Sequence, residues 1–206
     1  SVGTHGVGAT ATNALCSAFK ATSYRGTKVG EVNFSRGLLQ SEKISKCPKR
    51  YGTEIEITPD YEKIFKDVNA YNPKQVHMRL QDAGFLLDGI KIFLTVGGER
   101  IQMKSGGVNA MFATMAPDVK IHSFEQVEIP VQVDGVDKIA TVDVAFGWKA
   151  NEDDMEMASF VNLSRTSDGG SHAAGVEKGM VSYLLDRGKS KCTAKELLEG
   201  LVVVCH

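Results

Sequence analysis

The residues Gly3-Thr4-His5-Gly6-Val7-Gly8 place three glycines within six positions, and Ala9-Thr10-Ala11-Thr12-Asn13-Ala14-Leu15 follows at once. Glycine takes positive φ at little steric cost and lets another group approach the main chain closely. Small, helix-compatible residues directly after the run predict a loop that opens a helix. Unpaired N–H groups and the positive end of the helix dipole then converge on one point, chemistry suited to a phosphate. His5 stands inside the loop as a further donor to the same oxygens. By pattern alone a plain tight turn is the competing reading.

The remaining chemistry-bearing groups are carboxylates and thiols. Glu152, Asp153, Asp154 and Glu156 crowd into five residues. They lack EF-hand spacing and a histidine partner, so a solvated turn is expected rather than a metal site. Glu54 and Glu56 alternate with Ile55 and Ile57, which puts both acids on the solvent face of a strand and not in an acid/base pair. Cys16, Cys47, Cys192 and Cys205 form no C-x-x-C pair, which argues against zinc and against a disulfide framework, and for reduced thiols in the cytoplasm. The chain therefore carries no assigned catalytic residue and no assigned metal ligand.

These residues need elements to position them, and 206 residues suffice for one good core or two small ones. Twenty-four basic against 25 acidic side chains give a net charge of −1, so any nucleic-acid contact must be local. No apolar run reaches membrane-spanning length. The chain opens inside the glycine run and closes on Leu201-Val202-Val203-Val204-Cys205, the pattern expected of a segment of a longer polypeptide. No internal repeat is visible.

A short helix is predicted over 8–16, then strands over 17–25 and 28–36 joined by a turn at Arg25-Gly26-Thr27. The polar, basic stretch Ser41–Arg50 is expected to be a loop, 52–58 a strand, and 61–68 helical. Asn72-Pro73 opens a helix with proline at its first position, and Val76, Leu80, Ala83 and Leu87 form its packing face. A hairpin follows around Gly97-Gly98, and another short helix runs to Met115. Beyond Ala116-Pro117-Asp118 the texture turns to strands at 125–133, 138–148 and 157–163. A helix over 173–187, a capping box at Thr193-Ala194-Lys195-Glu196 and a last buried strand complete the chain. The expected division is an α/β sandwich over 1–117 and a smaller βαβ-type unit over 118–206.

Three stretches in this order carry a resemblance to a known family. They are the glycine run with Asn13-Ala14-Leu15, then Ser159-Phe160-Val161-Asn162 with Asp168-Gly169-Gly170-Ser171-His172 and Gly175, then Glu199-Gly200-Leu201-Val202. Together with Gly52-Thr53 and the segment Leu80 to Ile92, they resemble the B-type ATPase subunit of type IIA DNA topoisomerases. The glycine run alone fits other GHKL ATPases, and the Phe-Val-Asn to Gly-Gly-Ser-His block is the discriminating piece. Leu163 stands where many relatives have asparagine, and Ser171 where they have threonine.

The resemblance implies an α+β chain. Residues 1–117 would be the C-terminal part of a GHKL (Bergerat) ATP-binding sandwich, and 118–206 a ribosomal-protein-S5-like transducer domain, incomplete at its end. Gly3, Thr4, His5, Gly6, Val7, Gly8 and Ala9 would then cradle the ATP phosphates, with Thr53 beside adenine. ATP and Mg2+ are the implied cofactors. The implied partners are duplex DNA, the DNA-cleaving A-type subunit and a second copy on ATP binding. Gly169, Gly170 and His172 read as structural, with His172 capping a tight strand-to-helix turn. Arg187, Lys189, Lys191 and Lys195 form a basic cluster that faces either DNA or solvent. The family's catalytic glutamate, magnesium-binding asparagine and γ-phosphate lysine match no position in this chain. The rival reading is a non-catalytic module that binds nucleic acid or a partner, or another GHKL ATPase.

Overall fold

The computed structural model describes residues 6–68, 71–120, 122–133, 135–187 and 192–206. These group by contact into two compact units that part between Asn72 and Pro73. In the first, helix α1 (Gly8–Ala14) leads into strands β1 (Cys16–Ser35) and β2 (Leu38–Pro59), an antiparallel pair. A straight strand of twenty residues would run about 66 Å. Yet the Arg36 N–H donates to the carbonyl of Cys16 at 2.8 Å, so the ribbon must double back on itself.

The fold-back falls at Gly26, where φ is +65° and the register slips from Gly26↔Arg50 to Lys28↔Lys46. Doubling brings the Phe19 ring edge-on to Phe34 at 6.2 Å and Lys20 Nζ within 3.0 Å of Glu31. The turn expected at Arg25-Gly26-Thr27 is therefore present, although β1 stays paired with β2 on both sides of it. Ser41–Arg50 is not the expected loop. It lies within β2, where Lys43 sits opposite Glu31 and Ser45 opposite Val29. Its strand is wet and polar, so it lacks the alternation that announces a half-buried one.

Residues 61–68 form turns rather than the expected helix. Asp60 starts this segment as a helix cap would: its side chain accepts from the Lys63 N–H at 3.1 Å and its carbonyl from the Ile64 N–H at 3.0 Å. The Phe65 N–H then bonds the same Asp60 carbonyl at 2.9 Å, five residues back, so the regular ladder does not continue.

The second unit contains α2 (Pro73–Leu86), the hairpin β3 (Phe93–Val96) and β4 (Glu99–Gln102), and α3 (Gly107–Met115). Then come β5 (His122–Val133), β6 (Val136–Trp148), β7 (Glu156–Val161), β8 (Ser164–Arg165), α4 (Ser171–Arg187), α5 (Ala194–Leu198) and β9 (Leu201–Cys205). The five strands lie in the order β5-β6-β9-β7-β8. Strand β9 runs antiparallel to β6 and parallel to β7, so the expected βαβ crossover passes through α4 and α5. The capping box is formed, with Thr193 and Glu196 exchanging side-chain and main-chain bonds. Among the described residues no helix is long and apolar enough to cross a membrane.

One face of the sheet, through Val202 and Val204, packs with Phe85 of α2 and with Val108, Met111 and Phe112 of α3. The other, through Leu201, Val203 and Cys205, packs with Val176 and Met180 of α4 and Leu198 of α5. Residues 73–117 thus group by contact with 118–206. The expected face of α2 is only half-buried. Its buried residues are Asp82, Gly84 and Phe85. Arg165 grips Asp82 through two bonds of 2.8 and 3.0 Å, and Gly84 lets the helix close onto residues 103–104.

A Cβ on Gly84 would stand 2.6 Å from the Lys104 carbonyl and 2.9 Å from Met103 Cβ. Alanine gains about 1 kcal/mol in helix propensity, but overpacking against a fixed carbonyl costs about 1–3 kcal/mol. Gly84→Ala is therefore expected to lower the melting temperature by a few degrees in a thermal scan; a rise would show that the helix can slide.

Candidate nucleotide-binding site

The expected phosphate loop is described only in part, because Gly3, Thr4 and His5 lie outside the described residues. Gly6 has φ +65°, a conformation few residues other than glycine hold readily. Val7 is the N-cap of α1 with helical φ of −86°, and among the described residues no side chain caps the helix there. The first main-chain bond of α1 runs from Ala11 N–H to Val7 O at 2.8 Å. The N–H groups of Gly8, Ala9 and Thr10 therefore have no intrahelical acceptor. Among the described residues, a Cβ on Gly6 or Gly8 would meet nothing within 4 Å, which leaves room for an incoming oxygen. Open donors beside an open approach fit a phosphate.

The far end of α1 is tied down. Leu15 O accepts from the Asp60 N–H at 3.0 Å, next to the Arg36–Cys16 bond. Asp60 is wholly buried, and its carboxylate takes Arg36 Nε at 2.5 Å and Nη2 at 3.3 Å. That guanidinium, foremost, holds the Asp60 carboxyl below the usual carboxylate range. Cys16 is 2% exposed, and burial pushes its thiol up, so it packs rather than reacts. A pocket of about 220 Å³ beside α1 is lined by Leu15, Cys16, Ile57, Pro59 and Phe65 among others. This apolar lining lacks the charges a triphosphate needs.

Thr53 is exposed on β2, opposite Ser23. No hydrogen bond joins it to Gly6–Ala9 among the described residues. Beside it, Glu54 accepts from Tyr24 Oη at 3.1 Å and pairs with Arg50, whose guanidinium lies 4.0 Å over the Tyr24 ring. Arg50 foremost lowers the Glu54 carboxyl. An ionised, paired carboxylate is a poor general base, and Glu56 likewise reaches Lys20 at 3.6 Å. Glu54 and Glu56 are exposed, as expected. No three His, Cys, Asp or Glu side chains gather for a metal among the described residues.

In the second unit, Asn162 takes φ +54° in the turn between β7 and β8. Ser159 Oγ lies 2.6 Å from Thr166 Oγ1, which lies 3.3 Å from His172 Nε2. The His172 ring sits against Gly170, where a Cβ would come within 2.8 Å. His172 therefore ties the start of α4 to the segment after β8. Arg165 also lies 4.8 Å over the Phe160 ring. Sequence reading missed Arg165–Asp82 and Arg36–Asp60, whose partners are far apart in the chain; the Pro59-Asp60 step was its only local trace. Of the basic cluster, Lys189 and Lys191 lie outside the described residues, while Arg187 lies 4.9 Å over the Tyr183 ring.

The family model described as DNA gyrase B matches residues 105–205, a span that takes in α3 and the whole mixed sheet. Residues 105–205 are thus similar to DNA gyrase B. It is 29% identical over 215 residues to the B subunit of DNA topoisomerase 4 from Mycoplasma capricolum, covering 98% of this chain and 32% of that protein. It is 30% identical over 219 residues to the B subunit of DNA topoisomerase 4 from Staphylococcus epidermidis, again 98% of this chain and 32% of that protein. The chain thus spans about a third of the length of these relatives.

Among solved structures, the 43K ATPase domain of Thermus thermophilus gyrase B, in complex with an aminocoumarin, aligns with a TM-score of 0.66 at 25% identity. That alignment covers 98% of this chain and 58% of the other. The ATPase region of Saccharomyces cerevisiae topoisomerase II shares the fold, with a TM-score of 0.73 at 15% identity over 100% of this chain and 51% of the other. The α+β class expected of a gyrase B chain agrees with these neighbours.

If the Ser159–Thr166–His172 chain is structural, Thr166→Val removes its middle link and costs about 1 kcal/mol, or about 2–4 °C in melting temperature. Nucleotide affinity should not move. An affinity loss without a stability loss would instead make His172 part of the site.

Proposed function

We propose that this chain is the stretch of a B-type topoisomerase subunit that carries the phosphate loop and most of the transducer. On this reading residues 1–117 are the C-terminal part of the ATP-binding domain and 118–206 the transducer. Gly3, Thr4, His5, Gly6, Val7, Gly8 and Ala9 contact the phosphates, and Thr53 contacts adenine. The observation that carries the reading is the uncapped, open start of α1 behind Gly6, in a chain that aligns along 98% of its length with B subunits of topoisomerase 4.

The chain's own part is to bind and orient. Main-chain N–H groups of fixed direction neutralise phosphate oxygens, and binding energy drives closure of the subunit and its pairing with a second copy. Residues of the subunit outside this chain would hold Mg2+, which would supply electrophilic assistance to hydrolysis. Strand passage through duplex DNA, with an A-type subunit making the break, is the activity of the whole enzyme, placed in the cytoplasm. The residues that would activate water are assigned to other parts of the subunit, so residues 1–206 alone should not turn over ATP.

The test uses the intact subunit with a non-hydrolysable ATP analogue. Gly6→Val should weaken binding by at least about ten-fold, since it adds left-handed strain of about 1–2 kcal/mol and a side chain where the oxygen enters. It should also slow ATP-dependent plasmid relaxation with the A-type subunit present. Unchanged affinity would remove the loop from the site. Duplex binding indifferent to ATP would favour the binding-module reading.

A further inference from the structure

The seven residues of α1 are too few for an isolated helix to hold. None of them is buried, and among the described residues no side chain caps the start. Asn13 Oδ1 is buried without a hydrogen-bond partner among the described residues, so it adds no hold. What fixes the helix is its exit. Asp60 N–H bonds Leu15 O at 3.0 Å, and Arg36 N–H bonds Cys16 O at 2.8 Å. A Cβ on Gly37 would lie 3.5 Å from Ala14 Cα, so the tip of the β1–β2 ribbon rests directly on the last turn.

Those two anchoring residues are in turn locked to each other. Arg36 places Nε and Nη2 on the two Asp60 oxygens at 2.5 and 3.3 Å, a fork geometry that fixes direction as well as distance. Arg36 also holds φ +50°, a region non-glycine residues keep only when their surroundings impose it. Both ends of the doubled ribbon thus close on residues 14–16 through this one side-chain pair.

We propose that Arg36 and Asp60 are positioning residues for the glycine loop, holding α1 so that its first N–H groups stay aimed at the nucleotide phosphates. This rests on the nucleotide reading above. The pair touches no substrate itself. It acts by preorganisation, which lowers the ordering cost of binding. The paired strands on either side do not need it, because their ladder bonds are independent of it.

The experiment measures amide hydrogen exchange in the intact, nucleotide-free subunit, and then affinity for a non-hydrolysable ATP analogue. With Asp60→Asn, exchange over 7–15 should rise about ten-fold while strand residues 53–58 stay within about two-fold. Affinity should fall about ten-fold in parallel. Arg36→Lys keeps the charge but loses the fork, and should fall between the wild type and Asp60→Asn on both readouts. That variant alone carries the test if Asp60→Asn does not fold. Unchanged exchange over 7–15, or an equal rise over 53–58, overturns the proposal, because the pair would then be dispensable or merely a general stabiliser. A wild-type subunit that ignores the analogue would overturn the nucleotide reading, while exchange would still decide whether the pair anchors α1.

Discussion

Strand β9 sits between β6 and β7, and none of Leu201–Cys205 is more than 1% exposed. A strand buried on both faces needs a cover on each, and burying each such side chain is worth about 1.5–3 kcal/mol. α2 and α3 supply one cover, and α4 and α5 the other. The layering of the second unit follows from that demand. The parallel pairing of β7 with β9 requires a crossover, and the crossover is what delivers α4 to its face. The polar ties at the rim, Arg165 to Asp82 and Thr166 to His172, then fix where these covers end.

The first unit is held differently. Its ribbon has few buried residues, among them Cys16, Phe19, Thr22 and Asp60. Ile44, Ile55 and Tyr51 are exposed. Main-chain pairing carries the ribbon, and two side-chain pairs span the fold-back: Phe19 with Phe34 and Lys20 with Glu31. Exposed ion pairs contribute little by themselves. The Arg36–Asp60 pair differs because the aspartate has no access to water and both its oxygens are used.

What could be read from the sequence tracks how local its physical cause is. The turn at Gly97-Gly98, the capping box at Thr193 and the proline start of α2 are written in neighbouring residues, and they were legible. The buried last strand was legible too, because an unbroken apolar run has few other homes. The segment 41–50 misled because its strand is held by main-chain pairing and exposed along almost its whole length, with Lys43 opposite Glu31, which leaves no alternation. The face of α2 misled because Gly84 and Asp82 are buried for reasons that lie some twenty and eighty residues away, in Lys104 and Arg165. The glycine loop was recognisable as a phosphate candidate from its composition. What holds it was not, since Arg36 and Asp60 meet only once the ribbon has doubled back.

A loop that must open and close on a ligand is drawn from the less stable parts of a fold. Helix α1 fits that description, since it buries none of its residues and, among the described residues, has no side-chain cap at its start. Anchoring only its exit leaves the glycine end free to adjust while the helix axis stays fixed. An anchor at the start would occupy the same N–H groups that a phosphate needs, and would compete with it. An anchor along the helix would require buried side chains, and the cost of moving the loop would rise with them. A charged fork placed at the last turn avoids both conflicts. The short, weak helix and the strong remote pair are therefore two halves of one arrangement, in which stability is kept away from the atoms that must remain available.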